Sequence, residues 1–436
     1  MTRSIRVAAV QLRAHDRSGF ERSLEAILAS VEAAAERARL IVLPEGSLPA
    51  YVLGDDPIDE AVVDAAIGRL REIARRRGCT IVAGAAVRET PSGLPHNAAL
   101  VIDCDGRVAG QAHKLFLWHF DRRWFAPGER VAPVETSLGK LGVLVCADGR
   151  LPSIARELVD RGAELLVMPT AWVTSGRDPN ALENVQADLL ARVRAFENGV
   201  PFVAANKCGS ELGMVAYCGK SQAIDAAGRV VAMAGEREPE TIFATLELDA
   251  TRPHRTTPAR PPARAPLAAG ALRVAISPDP LPADIDRRLE ILGNAHAIAP
   301  PLSPQRLAAL DAVVPSAVVS DSDVLDPGGL IGYRRAGYVL AVWETGGLGA
   351  WTEPLARARA LELRIYVVAI DTGSDRAFAI DPDGNAVAGT FGGYRLASFS
   401  LDPRKSAETA VAPGTDVAQG LERIAAIVER ASEITA

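Results

Sequence analysis

The sequence predicts an α/β fold, with sheet layers covered by helices, followed by a second, shortened copy of the same fold. Three observations lead to this prediction. Apolar strands alternate with amphipathic helices in the first half, four segments of that half recur in order in the second, and 48% of the 436 residues are hydrophobic against 23% charged. Such a composition can fill a large core and excludes long disordered regions.

The first half opens with an apolar strand at 5–12. It continues into an amphipathic helix with its apolar face at Phe20, Leu24, Ile27, Val31 and Ala35. An apolar run at 40–44 predicts a buried strand, and a helix at 58–77 ends before a glycine. The later elements are strands at 80–87, 97–102, 108–113, 141–146, 165–168, 201–205, 221–225 and 241–248, with helices at 153–161 and 180–198. This alternation is typical of sheets with helices on their faces.

A proline-rich stretch follows the last of these strands. Residues 253–270 contain five prolines, which favours an extended linker. We therefore expect a first domain at 1–252, a linker at 253–270, and a second domain at 271–436 that ends in a helix.

The second domain repeats the first imperfectly. Residues 272–277 match 5–10, 359–369 match 194–204, 378–388 match 222–232, and 396–405 match 243–252. We also align VVPS at 313–316 with VLPE at 42–45, which puts serine where the first copy has glutamate. On this alignment the second copy lacks the block that contains Lys114 and Cys146. The repeat predicts a duplication with a catalytically inactive second copy.

Three polar residues, Glu45, Lys114 and Cys146, each stand at the end of a predicted strand. Ligands of α/β sheets bind beyond the carboxyl ends of the strands, so these side chains can meet in one crevice. Their chemistry is complementary, because a thiolate attacks, a carboxylate moves protons and an ammonium stabilises an oxyanion. Each also has a structural interpretation: Cys146 as a small apolar filler, Lys114 as a surface charge and Glu45 as a helix cap or loop carboxylate.

Longer motifs surround these residues. LPEGSLP contains Glu45, HKLFLW contains Lys114, and CADGRLPSIARELVDRGAELLVMPTAW begins at Cys146, with ARVRAFENGVPFVAANKCG and GKSQAIDAAGRVV downstream. Over residues 4–252 the chain resembles the nitrilase superfamily of carbon–nitrogen hydrolases. The resemblance implies a four-layer αββα sandwich, a Glu45–Lys114–Cys146 triad, a thioester mechanism, and no metal or organic cofactor.

Two positions depart from the family pattern. Many members carry a second glutamate in the loop before the nucleophile strand, and the nearest acid here is the shorter Asp121. Nitrile-hydrolysing members have tryptophan and then glutamate after the cysteine, whereas this chain has Ala147 and Asp148. The difference favours amides or N-carbamoyl compounds and leaves nitriles open.

Further residues are candidates for the same site. The resemblance implies that the backbone N–H of Ala147 holds the oxyanion together with Lys114. Trp172 and Asn206 lie at predicted strand ends and are candidates for the pocket wall. We expect the neighbouring Asp148 and Arg150 to form an ion pair that braces the turn after the nucleophile.

The sequence thus predicts a hydrolase that cleaves a non-peptide carbon–nitrogen bond in a linear amide or N-carbamoyl compound through a cysteine thioester, releasing ammonia or an amine. The alternatives are a nitrilase, a thioester-based acyltransferase, or a non-enzymatic protein that binds a small molecule. Family members commonly pair through one face of the sandwich. We therefore expect the second domain to act as an internal partner, and further homo-oligomerisation stays open.

Net charge and cysteine content restrict the partners and the cellular compartment that we expect for this protein. A formal net charge of −6 argues against a nucleic-acid partner, and the sequence has no apolar run long enough for a membrane span. We read no secretion signal at the N-terminus. The five cysteines match no zinc spacing. We expect a cytoplasmic protein with reduced thiols and neither a nucleic-acid nor a membrane partner.

Overall fold

The structure is a computed structural model that describes residues 3–55, 58–90, 93–176, 180–248, 261–264, 270–291, 293, 296–391 and 393–435. The chain divides into two units. Unit 1 consists of Met1–Pro253, Ala412–Thr415 and Glu422–Ala436, and unit 2 of His254–Val411 and Asp416–Leu421. The grouping of the two C-terminal segments with unit 1 is not part of the predicted division.

The strands of unit 1 are β1 (Arg3–Arg13), β2 (Leu40–Val42), β3 (Thr80–Val87), β4 (His96–Ile102), β5 (Val108–His113), β6 (Val134–Thr136), β7 (Gly139–Val143), β8 (Leu165–Pro169), β9 (Phe202–Ala205), β10 (Lys207–Glu211), β11 (Val215–Cys218), β12 (Gln222–Ile224), β13 (Val230–Met233) and β14 (Glu240–Leu248). Its helices are α1 (Phe20–Ala35), α2 (Glu60–Arg77), α3 (Asp121–Trp124), α4 (Pro152–Asp160) and α5 (Ala191–Asn198). Strands β2, β8 and β9 are buried along their whole length, as their continuous apolar runs predict.

The described strands of unit 1 form two sheets. The first has the order β11–β10–β1–β2–β3–β4–β5, with β14 antiparallel to β1. The second has the order β13–β12–β9–β8–β7–β6. In each sheet the three central strands run parallel, β1 to β3 in one and β7 to β9 in the other. The residues that follow the central strands therefore collect at one edge of each sheet.

Helices cover the outer faces of both sheets. Helices α1 and α2 pack on the first sheet through an apolar cluster that includes Leu24, Ile27, Leu70, Ile41 and Ile81. Helices α4 and α5 contact β7, β9 and β12 of the second sheet. The inner faces meet where β2 and β3 contact β8 and β9. Unit 1 is therefore an αββα sandwich, and the predicted fold class is confirmed.

Two predicted elements have different bounds. The strand expected at 141–146 ends at Val143, and Cys146 begins a 3₁₀ turn (Cys146–Arg150). The helix expected at 180–198 begins only after Asn184, with a π-helical turn at Gln186–Leu190 ahead of α5. Asn184 Oδ1 accepts from the backbone N–H of Gln186 at 2.9 Å, so this side chain caps the first turn.

Unit 2 contains strands β15 (Leu272–Ile276), β16 (His296–Ile298), β17 (Ser316–Val319), β18 (Leu340–Thr345), β19 (Tyr366–Asp371), β20 (Arg376–Ile380), β21 (Ala386–Gly389) and β22 (Ala397–Leu401). Its helices are α6 (Ile285–Ile291), α7 (Pro304–Asp311), α8 (Asp321–Leu325), α9 (Pro327–Arg335), α10 (Thr352–Leu363) and α11 (Pro403–Ala407). A sheet of order β16–β15–β22 and a sheet of order β17–β18–β19–β20–β21 enclose an apolar core with Val274, Val342 and Val368. The chain ends in β23 (Ala410–Ala412), β24 (Thr415–Asp416) and α12 (Val417–Thr435).

The alignment of 313–316 with 42–45 is wrong. Strand β1 places Ala9 opposite Val42 of β2, and β15 places Ile276 opposite Ile298 of β16. Strand β16, and not residues 313–316, is therefore the parallel neighbour of β15 as β2 is the parallel neighbour of β1. Residues 313–316 lead instead into β17. The apolar pattern alone did not reveal this, because it fits any buried strand.

The expected linker falls mostly outside the described residues. Of 253–270, only 261–264 and 270 are described. Arg264 donates its backbone N–H to the Ala336 carbonyl at 2.6 Å and lies over the Tyr338 ring, so this point is fixed within unit 2. In the described part of the chain, no helix combines the length and the apolar character that a membrane span needs.

Candidate active site

Glu45 follows β2 and is fully buried. Its Oε1 accepts from Nδ2 of Asn97 at 2.6 Å and from Nζ of Lys114 at 2.7 Å. Its backbone N–H donates to the Thr170 carbonyl at 3.2 Å, which ties the residue to the end of β8. Its Oε2 has no hydrogen-bond partner among the described residues. One oxygen therefore fixes the carboxylate and the other is left for chemistry.

Lys114 follows β5 and lies between two carboxylates. Its Nζ is 2.7 Å from Glu45 Oε1 and 2.6 Å from Asp121 Oδ2, and all three side chains are buried. Burial alone would lower the pKa of Lys114, but Asp121 and Glu45 raise it well above its usual value. The ammonium therefore stays charged, and it is aimed by two partners rather than one.

Asp121 begins the short helix α3 and is held from two further sides. Its Oδ1 accepts from the Tyr51 hydroxyl at 2.8 Å, and its Oδ2 accepts from the Trp118 backbone N–H at 2.8 Å. The shorter acid noted in the sequence thus reaches Lys114 because α3 brings its backbone close. The Tyr51 ring also lies 5.4 Å from Lys114 Nζ.

Cys146 opens the 3₁₀ turn with a positive φ of 47° and is buried. Burial raises the pKa of its thiol, the charge of Glu45 raises it further, and Lys114 lowers it. The three sequence-predicted residues thus lie close enough to act on each other electrostatically. The raised pKa favours the neutral thiol over the thiolate.

Asp148 connects the nucleophile turn to the Lys114 loop. Its Oδ2 accepts from the Val145 backbone N–H at 3.0 Å, and its Oδ1 accepts from the N–H groups of Leu115 at 2.9 Å and Phe116 at 2.8 Å. Burial raises its pKa to about 7, against the lowering by these backbone donors. One carboxylate therefore sets the position of both segments.

The ion pair expected between Asp148 and Arg150 does not form. The Asp148 oxygens accept backbone N–H groups, and the Arg150 guanidinium lies 4.4 Å from the Trp118 ring centroid. The turn is braced by these two contacts instead. The spacing of Asp148 and Arg150 in the sequence suggested an ion pair, but it gives no information about the backbone N–H groups of Leu115 and Phe116, which lie more than thirty residues away.

Trp172 and Asn206 lie beside each other at the ends of β8 and β9. Asn206 Oδ1 accepts from the Trp172 backbone N–H at 2.7 Å, and its Nδ2 donates to the Gly219 carbonyl at 2.6 Å. The amide thus braces the segment that begins with Thr170. The Trp172 indole is buried, and its Nε1 has no hydrogen-bond partner among the described residues.

A second buried ion pair supports the Tyr51 side of the site. Lys207 Nζ lies 3.1 Å from Glu211 Oε2, and the Tyr217 hydroxyl donates to the same oxygen at 2.8 Å. Glu211 Oε1 accepts from the Val52 backbone N–H at 2.6 Å, next to Tyr51. The sequence did not predict this group. Strand β10 begins with Lys207 and ends with Glu211, and two charged residues in five do not match the apolar pattern of a buried strand.

The chain's C-terminal residues reach the Lys114 loop. Arg423 of α12 donates from Nη1 to the Leu115 carbonyl at 2.8 Å and from Nη2 to the Gly128 carbonyl. Gly128 donates its N–H to the Lys114 carbonyl at 2.8 Å. Arg423 therefore holds both ends of the loop that carries Lys114 and Asp121. Neither Arg423 nor Asn97 carried a sequence signal, because their partners are distant in the chain.

Known proteins share this architecture. Residues 6–256 match the carbon–nitrogen hydrolase family. A probable nitrilase of Schizosaccharomyces pombe is 34% identical over 167 residues, 38% of this chain and 58% of that protein, so the chain spans less than two thirds of that relative. An (R)-stereoselective amidase of Pseudomonas sp. is 29% identical over 248 residues, 56% of this chain and 86% of that protein.

A solved structure is also similar. The crystal structure of an amidase from Nesterenkonia sp. is 31% identical with a TM-score of 0.50, and the match covers 56% of this chain and 90% of that one. A double mutant of the amidase from Nesterenkonia sp. AN1, 30% identical with a TM-score of 0.50 and the same coverage, was solved in complex with acrylamide. The family match spans more than half of the chain, and the fold agrees with it. The chain belongs to the carbon–nitrogen hydrolase family of the nitrilase superfamily and is an amidase-like hydrolase.

Proposed function

We propose that the protein hydrolyses a small linear amide or N-carbamoyl compound through a thioester on Cys146, with Glu45 as the proton carrier and Lys114 as the cationic stabiliser. The observation that carries this proposal is the arrangement of Glu45. One of its oxygens is fixed by Lys114 and Asn97, while the other is buried without a partner among the described residues. A carboxylate held in this way suits proton transfer.

The first step forms the carbon–sulfur bond. Glu45 Oε2 takes the proton of the neutral Cys146 thiol as the sulfur attacks the amide carbon. The carbonyl oxygen becomes an oxyanion, which the Ala147 backbone N–H and the Lys114 ammonium stabilise. Because Lys114 is fixed by two carboxylates before substrate arrives, little reorganisation accompanies the charge development.

The second step breaks the carbon–nitrogen bond. Protonated Glu45 returns its proton to the nitrogen, ammonia or an amine departs, and the acyl group stays on sulfur as a thioester. Glu45 then removes a proton from a water molecule, which attacks the thioester carbon. The acid leaves, the thiol regains its proton, and both catalytic residues end in their starting states.

The residues around the site favour small amides. The tryptophan–glutamate pair of nitrile-hydrolysing members is replaced by Ala147 and Asp148, and the Asp148 carboxylate is taken up by three backbone donors. Tyr51 packs against Phe120 and Tyr217 at ring distances of 5.5 and 6.5 Å, which leaves an aromatic environment beside Lys114. The similarity to an amidase solved with acrylamide supports the same substrate class.

The test is a screen of amides, N-carbamoyl amino acids and nitriles by ammonia release, with wild type, Cys146→Ala and Cys104→Ala in parallel. Cys104 is a half-buried thiol outside the site and serves as the matched control. We expect activity on amides or N-carbamoyl compounds in wild type and Cys104→Ala and none in Cys146→Ala. Equal activity in all three proteins would contradict the proposal.

We further propose that unit 2 is a shortened, inactive copy of unit 1. Strands β15, β16 and β22 repeat the pairings of β1, β2 and β14, and β17 to β21 repeat β7, β8, β9, β12 and β13. Both copies carry a β-bulge at the equivalent place, between Ala223 and Ile224 and between Ala379 and Ile380. The shared strand pairings and the equivalent positions of the two β-bulges support a common origin of the two units.

The correspondence indicates what the copy lacks. The Ser320 backbone N–H donates to Asp323 Oδ2 as the Val145 backbone N–H donates to Asp148 Oδ2, so Asp321 stands at the place of Cys146. The place of Glu45 falls on Pro301 by the match of 272–277 and on Ser303 by the match of 396–405, so neither register puts a carboxylate there. The described residues of unit 2 contain no counterpart of β3 to β6. No triad can form from these residues. Cys146→Ala in the full chain should therefore remove all hydrolysis.

The pairing of superfamily members suggests a role for the second half. Because superfamily members commonly pair through one face of the sandwich, we propose that 271–436 serves as an internal partner. The full chain should then not pair through this face between molecules, whereas a chain ending at Arg252 should dimerise or aggregate in a sedimentation experiment. A truncated protein that stays monomeric and soluble would rule this out.

We also propose that the protein is cytoplasmic. Its five cysteines are free, which fits a reducing compartment.

A further inference from the structure

Three side chains outside the proposed reaction converge at one end of the first sheet. They are Glu89, two residues after β3, His96, the first residue of β4, and His113, the last residue of β5. One oxygen of Glu89 is 3.6 Å from His96 Nε2, and the other is 3.6 Å from His113 Nε2. Ligand atoms from all three side chains lie within 4.8 Å of one another.

These distances fit ligands of one metal ion better than hydrogen bonds. A nitrogen–oxygen separation of 3.6 Å is longer than the usual hydrogen bond of about 2.9 Å. Two ligands at about 2.0–2.1 Å from a tetrahedral zinc ion are about 3.3 Å apart. The two separations between Glu89 and the imidazoles are therefore within a few tenths of an ångström of that arrangement.

One nitrogen of each ring lies beside Glu89 without a hydrogen bond to it. His96 Nδ1 lies 3.1 Å from the Ala126 carbonyl, which can only accept, so in the neutral ring Nδ1 carries the proton and the Nε2 lone pair faces Glu89. His113 Nε2 is buried and has no hydrogen-bond partner among the described residues. Both Nε2 atoms are therefore placed beside the carboxylate where they can bind an ion.

The two rings also face each other. The rings of His96 and His113 are stacked with centroids 4.0 Å apart and planes 10° from parallel. Among the described residues, Gln111 also reaches Glu89, and its Nε2 donates to Oε1 at 3.3 Å. A backbone carbonyl that orients a histidine is also a common feature of metal sites.

We propose that Glu89, His96 and His113 form a binding site for a divalent transition metal ion such as Zn²⁺. Two imidazoles and a carboxylate are ligands that suit zinc, cobalt and nickel. The half-exposed Glu89 leaves a path for the ion and a fourth position for water. Binding requires the parallel rings to turn about their soft χ2 torsions, so that both lone pairs point at one place.

The site adjoins the proposed catalytic residues along the chain. His113 precedes Lys114, and His96 precedes Asn97, which donates to Glu45. A bound ion would tie the ends of β4 and β5 together under these two residues. It has no part in the thioester chemistry, so its effect is on stability and position.

The test uses the full-length chain without a histidine tag, first treated with a chelator and then titrated with Zn²⁺ by calorimetry and with Co²⁺ by visible absorption. Glu89→Gln is the main variant, because Glu89 is exposed and its loss leaves the fold intact. His113→Gln removes a second ligand. His296→Gln is the matched control, since His296 belongs to β16 of unit 2 and is not one of the three cluster residues.

We expect one Zn²⁺ per chain in wild type and in His296→Gln, with a raised melting temperature. Both cluster variants should bind at least about tenfold more weakly. At concentrations that saturate wild type, Co²⁺ should give the absorption of a site with nitrogen ligands in wild type and His296→Gln and not in the two cluster variants. Equal binding by wild type and Glu89→Gln, or no saturable binding by wild type, would overturn the proposal. Circular dichroism of each variant separates lost binding from lost folding.

Discussion

Asp148 is the residue that joins the proposed nucleophile and the proposed cation. Its two oxygens accept one N–H before Cys146 and two N–H groups after Lys114. The distance between the two catalytic side chains therefore depends on a carboxylate that touches neither reacting atom. We regard Asp148 as a positioning residue. Its raised pKa predicts a change of stability with pH, which can be measured.

The pKa of Asp148 sets the direction of a stability change with pH. Its pKa is about 7 in the folded protein, against an ordinary value of 3.8. The folded state therefore binds a proton that the unfolded state has released, and this contribution to stability is lost as pH rises through about 7. The free energy of unfolding of wild type, measured relative to that of Asp148→Asn, should fall by about 3 kcal/mol between about pH 5 and about pH 8.

Urea unfolding of both proteins at the two pH values measures this change. Only the difference between wild type and variant matters, because the other titrating groups are common to both. A difference that stays constant with pH would show that the Asp148 carboxylate is ionised throughout. Its burial would then be fully offset by the three backbone donors.

Tyr51 gives a second prediction at the residue scale. Its hydroxyl donates to Asp121, which pairs with Lys114, and a hydrogen bond to a charged group contributes about 1.5–3 kcal/mol. Tyr51→Phe should lower kcat about tenfold with little change in KM. Tyr217→Phe is the matched control, because Tyr217 donates to a different buried carboxylate, Glu211.

Both tyrosine variants lose a buried hydrogen bond and should lose similar stability. Steady-state kinetics on the amide found in the screen separates them. If Tyr217→Phe lowers kcat as much as Tyr51→Phe, the loss reflects general loosening of the aromatic cluster rather than the orientation of Lys114.

At the scale of elements, the carboxyl ends of parallel strands and the C-terminal helix position the site. Strands β2, β5 and β7 lead to Glu45, Lys114 and Cys146. Helix α12 then supplies Arg423, whose two donors close the loop between Leu115 and Gly128. The loop is therefore fixed from both the sheet and the end of the chain.

Removal of Arg423 should loosen this loop without unfolding the protein. Arg423→Ala should lower kcat about tenfold with KM nearly unchanged, since a displacement of about 1 Å in a catalytic group is costly. Arg423→Lys should restore part of the rate, because a lysine can still donate to one of the two carbonyls. Arg430→Ala, an exposed arginine on the same helix, is the control.

Hydrogen exchange over residues 114–128 gives an independent measure of the loop. We expect faster exchange there in Arg423→Ala than in wild type or Arg430→Ala. Unchanged exchange together with unchanged kcat would mean that β5 and Asp148 alone hold the loop.

The sequence predicts the elements whose apolar pattern is strong. The runs at 40–44 and 165–168 correspond to β2 and β8, because a strand covered on both faces needs apolar side chains throughout. Strand β10 was missed, since Lys207 and Glu211 are buried as a pair and the pairing is visible only in three dimensions. The strand predicted to end at Cys146 ends at Val143, because the 3₁₀ turn that begins at Cys146 takes the chain away from the sheet.

The same holds for the site. The three strand-end residues were found from their positions, and Asp121 from the family resemblance. Asn97, Tyr51 and Arg423 could not be found, because each acts through a partner more than fifty residues away. Long-range packing, rather than local pattern, brings these side chains to the reacting groups.

At the scale of the whole molecule, the chain combines one complete sandwich with a shortened one. Unit 1 holds every residue of the proposed chemistry and takes residues 412–415 and 422–436 from the far end of the chain. On our proposal that unit 2 is an inactive copy, Asp321 stands in place of the nucleophile and no carboxylate stands in place of the base. All hydrolysis should therefore trace to one cysteine.

The most direct test of this account is the mass of the covalent intermediate. Wild type is mixed with an amide that it hydrolyses, quenched in acid within one turnover, and measured intact and after digestion. We predict an added acyl mass on the peptide that contains Cys146, absent from Cys146→Ala and present in Cys104→Ala. Turnover without an adduct on Cys146, or an adduct that persists on another residue of Cys146→Ala, would contradict the account.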